Sequence, residues 1–233
     1  MSLNPFATVK SYSDMLTKIA TWTFFVALGV TVVLRVRWPL IDTALGKLGP
    51  KVPIAGVEFP LGTLVPAFAM ALISRVTKLH DRLSDLLGIR RRFDRGEILL
   101  PLAAMSGAVL TLDQVEGIDA ARNNLMGQVF YAYASSDPSK SKIDTHYVTM
   151  ALDQWTWYWI VLEALFVVGL SGAVLYLVGD HLAGGAAAWV VVAGLGVLQW
   201  IRTSCSQYAT DEIREILKVD DAREAIRSVF SAL

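Results

Sequence analysis

Apolar residues gather along this chain in blocks, and no convincing strand pattern separates them. The first block, 19–34 (IATWTFFVALGVTVVL), ends at Arg35 and Arg37. A helix rises about 1.5 Å per residue, and a bilayer needs about 20 mainly apolar residues. This block therefore spans only if Trp38 and the stems of Arg35 and Arg37 occupy the interface. The second block, 59–74, is short and holds Pro66. A spanning helix tolerates proline where neighbours satisfy the freed carbonyl. The third, 155–178, is the strongest, and the fourth, 182–201, follows a tight turn at Gly179, Asp180 and His181. The third and fourth thus form a helical hairpin. The pattern predicts an all-α, polytopic membrane protein with four transmembrane helices and a helical cytoplasmic part.

A further apolar run, 97–112, has too short an uninterrupted core for a span and reads as a buried helix, with a re-entrant segment or a fifth span as alternatives. The division that follows is 1–74 for the N-terminal segment and the first two spans, and 75–154 for a helical sensor segment. The spanning hairpin is 155–201, and 202–233 forms C-terminal helices. The second spanning helix is expected to continue through Arg75, Lys78, Arg82 and Leu86 to Gly88, a C-terminal glycine. Asp94 with Glu97 has the form of a capping box, as does Asp221 with Glu224. Residues 119–134 read as a helix, 135–142 as a polar loop, and Asp144 as the cap of a helix running into the third span. The stretch 51–59 (KVPIAGVEF) can form a small outer hairpin. Trp155, Trp157, Tyr158 and Trp159 read as an interfacial aromatic belt.

Composition sharpens this picture. The chain is 54% hydrophobic and only 18% charged, against about 25% charged in soluble domains. Net charge is formally +0, so only local asymmetry speaks about partners. Basic residues crowd the segment after the second span (Arg75, Lys78, Arg82, Arg90, Arg91, Arg92, Arg95) and the tail (Arg202, Arg214, Lys218, Arg223, Arg227). By the positive-inside rule both termini and 75–154 face the cytoplasm. Arg35, Arg37, Lys47 and Lys51 stand against that count. The first apolar block begins after a polar stretch with no cleavage site, so the N-terminus is expected to be retained. A single cysteine, Cys205, excludes an internal disulfide.

Two features carry candidate chemistry. The stretch 88–97 (GIRRRFDRGE) either orients the chain against anionic lipid or forms an anion site. Arg90, Arg91, Arg92 and Arg95, with Lys78 and Arg82, present charge matched to phosphate. Phe93, Tyr131 and Tyr133 offer faces for stacking a base, with Phe130, Tyr131 and Tyr133 as core the alternative reading. Glu163, inside the third span, lines a pore with Gln199 or reaches headgroup water, and Thr21 or Thr23 can share its layer. Gly169, Gly172 and Ala173, with Gly194 and Gly196, allow close helix approach. No nucleophile motif, metal-ligand spacing or phosphate loop is present. Residues 113–122 (DQVEGIDAAR) match the signature of phosphatidyl-alcohol transferases only loosely, and His80 beside Asp81 reads as a solvated pair. The expectation is therefore a non-enzyme with no metal and no cofactor.

The stretches 78–102, 151–166 and 208–217 (YATDEIREIL), with the overall size and span count, resemble small four-span membrane effectors of bacterial nucleotide-signalling anti-phage defence, such as the Hailong effector. That resemblance implies a homo-oligomeric ion channel, with a tetramer as the working expectation. It would be held shut by single-stranded DNA oligomers from a partner nucleotidyltransferase and would depolarise the membrane when they are lost. The competing expectation is a non-conducting scaffold or adaptor that recruits a soluble partner through its cytoplasmic helices.

Overall fold

A computed structural model describes residues 8–54 and 57–233. Residues 1–7, to which the retained N-terminus belongs, and the tip of the 51–59 hairpin lie outside the described residues. Among the described residues the regular structure is helical apart from that hairpin, in which β1 (Lys51–Ile54) pairs antiparallel with β2 (Val57–Pro60). The helices are α1 (Tyr12–Arg37), α2 (Pro39–Gly46), α3 (Leu61–Thr77), α4 (Leu79–Leu87), α5 (Ile89–Phe93), α6 (Leu100–Ser106), α7 (Leu112–Leu125), α8 (Thr145–Leu177), α9 (His181–Ile216) and α10 (Ala222–Ser231). Two π-helical stretches, Asp94–Leu99 and Met126–Phe130, continue α5 into α6 and extend α7. Two compact units result: Leu16–His80 with Thr156–Ile201, and Thr8–Met15 with Asp81–Trp155 and Arg202–Leu233.

The first unit is apolar inside and outside. Ile19, Ala27, Leu64, Ala67, Ile160 and Val167 are buried, while Phe25, Val32, Phe68, Leu72, Trp189 and Leu195 are exposed. Helices apolar on every face suit a lipid solvent. Among the described helices α1, α8 and α9 are long and apolar enough to cross a membrane, and α3 with α4 adds a fourth only as a broken pair. A membrane location is compatible with this set.

The α8–α9 hairpin turns at Gly179, whose φ of 97° favours glycine. Its helices touch through small residues: a Cβ on Gly172 would stand 2.4 Å from the Cβ of Ala187, whereas one on Gly196 would meet nothing within 4 Å. Gly172→Leu is accordingly expected to destabilise the chain by about 1–3 kcal/mol through overpacking, and Gly196→Leu to leave the monomer unchanged. Unfolding in mixed detergent micelles measures both.

The arginines that counted against the predicted orientation are paired within this unit. Arg35 donates to Asp42 (2.8 Å) and Thr63 (2.6 Å), and Arg37 donates twice to Asp180 (2.6 and 2.9 Å). Asp180 also accepts from Ala183 N–H at the start of α9 (3.1 Å). The Arg37 and Ala183 bonds hold the Asp180 carboxyl down at about 2.

The second unit is a small helical core of Phe93, Leu99, Leu102, Ile118, Val129, Ile213, Ile216, Ile226 and Phe230. The 97–112 run is a helix of this core that stops at Gly107, so it is neither a span nor as long as expected. Thr111 then forms a reciprocal capping box with Gln114 and starts α7 earlier than 119. Asp144 accepts from His146 N–H (2.8 Å) at the start of α8, as the sequence predicts.

Other expectations are corrected. The second spanning helix does not run unbroken to Gly88, because Lys78 adopts a left-handed conformation (φ 49°) and ends α3. Asp94 caps nothing, since the helix is already running from Ile89 and the carboxylate is taken by Arg122. Asp221 precedes α10 at φ 60° without a side-chain cap bond. Tyr158 and Trp159 are 4% and 2% exposed and pack inside rather than forming a belt.

Candidate functional site

Glu163 is the most constrained polar group of the apolar unit. It sits on α8 with 0% exposure. Its Oε2 accepts from Thr23 Oγ1 of α1 (2.8 Å) and Ser74 Oγ of α3 (2.6 Å). Its Oε1 accepts from the backbone N–H of His80 (3.0 Å), and the His80 Nδ1 lies 3.4 Å away. The imidazole is 0% exposed and packs on Trp159, with centroids 5.9 Å apart. One carboxylate therefore ties α1, α3 and the start of α4 to α8. An ion in an apolar layer is tolerable only with such partners.

The second unit carries a dense charge network. Arg122 donates to Asp94 (2.8 Å), Arg90 pairs with Asp81 (2.9 Å), and Asp119 receives both Arg91 (3.3 Å) and Arg95 (3.2 Å). Arg92 donates to the carbonyls of Leu87 and Gly88. Burial pushes the Asp94 carboxyl up to about 6, against the pull of Arg122 and Arg90. Glu212 lies on the α9 extension past Ile201, where the fourth apolar block ends. It is 5% exposed, and burial pushes its carboxyl up to about 8. Among the described residues no hydrogen bond or ion pair reaches it. Cys205, on the same extension, is 1% exposed and serves as packing.

The sequence profile of the YmfE protein family matches residues 11–232. The chain belongs to the YmfE family. A relative from Escherichia coli (strain K12), the uncharacterized protein YmfE, is 28% identical over 181 residues, covering 74% of this chain and 73% of the relative. No solved structure matches. Neither name speaks of defence or of a nucleotide signal.

For this YmfE-family chain, the residues singled out in the sequence fall into several groups. Arg90, Arg91, Arg92 and Arg95 are brought together, but each is engaged by the chain's own carboxylates or carbonyls. Phe93 is 2% exposed against Trp155, and Tyr133 is 8% exposed beneath Lys142, so neither offers a face to a base. Tyr131 alone of the three is exposed, at 56%. Lys78 and Arg82 are exposed, and Lys78 belongs to the apolar unit. Thr23 shares the Glu163 layer, whereas Thr21 bonds back to the Thr17 carbonyl and Gln199 lies on an exposed face of α9.

Sequence reasoning misread His80 as solvated and missed Ser74. No local signal marks either, because their partner is 83 and 89 residues away. Glu212 was missed too, although an acid on the buried stripe of Ala209, Ile213 and Ile216 was open to detection by helical spacing.

Proposed function

We propose that the chain is a homo-oligomeric channel of the bacterial inner membrane, with both termini cytoplasmic, gated by an anionic nucleotide or single-stranded DNA oligomer and depolarising the membrane in anti-phage defence. The observation that supports this most is Glu163, a fully buried carboxylate bonded to α1, α3 and the start of α4. A change of helix packing must break or trade those bonds, which makes the layer a natural gate. Helices α1, α8 and α9 each contribute residues to both units.

Purified protein in liposomes tests the proposal. Ion flux should change on addition of a 5′-phosphorylated DNA oligomer, and Glu163→Gln should alter conductance. Flux that is absent in every ligand state would end the channel reading. If four phosphates are engaged at about −0.7 per phosphate, affinity should fall on the order of 50-fold from 50 to 200 mM salt. Salt-independent binding would remove the phosphate site.

The pairing of the arginines within the chain favours a second reading, a non-conducting adaptor whose network is scaffolding. Its expected signature is capture of a soluble partner with no flux in any ligand state.

A further inference from the structure

The short helix α2 joins two apolar helices of the first unit. It leaves α1 through Trp38, whose extended backbone breaks the helical run. It closes on the start of α3, where a Cβ on Gly62 would collide with the Leu45 carbonyl. Arg35, near the end of α1, donates to both Asp42 of α2 (2.8 Å) and Thr63 of α3 (2.6 Å). One arginine and one glycine thus hold α2 at the level where α1 ends and α3 begins. Eight residues rise about 12 Å, enough to reach from one packed helix to the next. The helix therefore lies across the end of this pair instead of extending it.

Its outer face is apolar. Leu40 is 68% exposed, and Ala44 and Leu48, following at steps of four residues, are exposed as well. Val36, four residues before Leu40 and still on α1, is 76% exposed, so the apolar surface of α1 runs on into α2. The polar groups of α2 are occupied within the protein. Asp42 is taken by Arg35, and Thr43 Oγ1 donates to the Pro39 carbonyl (2.9 Å). Lys47 is exposed just past the helix, where its stem can lie along apolar surface and its ammonium can reach a lipid phosphate. An apolar face, occupied polar groups and a flanking cation suit a helix lying in a membrane interface. We propose that α2 lies in the plane of the bilayer with Leu40, Ala44 and Leu48 sunk at the boundary between headgroups and acyl chains. The occupant of this face is lipid because the face continues the lipid-suited surface of α1. The inference rests on a membrane location for the first unit and is independent of ligand gating and of ion flux.

The test is electron paramagnetic resonance of the full chain in lipid nanodiscs. A nitroxide is placed in turn at Leu40→Cys, Ala44→Cys and Thr43→Cys, in a Cys205→Ala background. Labels at 40 and 44 should be more accessible to oxygen than to an aqueous nickel chelate, and should read about 5–10 Å inside the headgroup boundary. At Thr43, on the polar side of α2, the preference should reverse. Circular dichroism checks that each labelled chain is folded, and Leu48→Cys repeats the reading if a label at 40 or 44 is not tolerated. Equal access of the nickel chelate at every site would put α2 in water and overturn the proposal. Labels at 40 and 44 shielded from both reagents would overturn it as well, and a Leu40→Cys disulfide between copies would then identify a second chain as the cover.

Discussion

Replacing Glu163 with alanine is expected to cost about 3–5 kcal/mol, from buried donors left without an acceptor at about 1–3 kcal/mol each. The loss has a specific origin. Thr23, Ser74 and the His80 backbone N–H all donate to this one carboxylate. The two hydroxyls can turn back to carbonyls of their own helices, which recovers part of the loss. The His80 N–H has no such freedom, because the helix break at Lys78 places it at the start of α4. Glu163→Gln keeps one carbonyl oxygen as an acceptor but points an NH₂ group at donors, so its loss should lie between wild type and alanine. Unfolding in mixed detergent–SDS micelles, followed by circular dichroism, ranks the three. An alanine variant as stable as wild type would refute the cluster as a structural tie.

Glu212→Gln is expected to act in the opposite direction and only above mildly acidic pH. Its folded carboxyl titrates near 8, raised by burial from an ordinary 4.5. The folded chain therefore binds more protons than the unfolded one between those values, and stability falls as pH rises through that window. Glutamine has nearly the same shape and cannot ionise, so it should match wild type near pH 4.5 and exceed it at pH 8 and above. The gap at high pH is on the order of 3–5 kcal/mol, from about 1.36 kcal/mol per pKa unit. Asp94, raised to about 6, adds a smaller slope of the same sign that persists in the variant. Thermal melts in detergent from pH 4.5 to 9 check this. Parallel pH profiles for the two proteins would place Glu212 in water instead of the core.

What was legible in the sequence was what depends on near neighbours or on bulk composition. Long apolar runs announced α1, α8 and α9 because lipid-compatible helices need no pattern beyond length. Asp144 was legible as a cap because its bond reaches only two residues on. The same local logic failed at Asp94, where D-x-x-E spacing was present but Arg122, 28 residues away, held the carboxylate. It failed at α2, whose eight residues, PLIDTALG, bury nothing and so leave no periodic trace. The basic stretch 88–97 was visible as charge, yet its meaning lay in Asp81 and Asp119, residues that no local rule pairs with it. Histidine 80 shows the limit most plainly: beside an aspartate it reads as surface, and only the distant Glu163 explains its burial.

The second unit is assembled from three separate stretches, Thr8–Met15, Asp81–Trp155 and Arg202–Leu233. During synthesis the middle stretch leaves the ribosome well before the last. Until the last follows, Leu102 and Ala103 lack the α10 helix that brings Ile226 and Phe230 to the core, and the Ser106 carbonyl lacks the Arg227 guanidinium. A ribosome paused before residue 202 would thus hold a nascent chain with a greasy, unfinished face, a substrate for chaperones, and no excised fragment of the middle stretch should fold by itself.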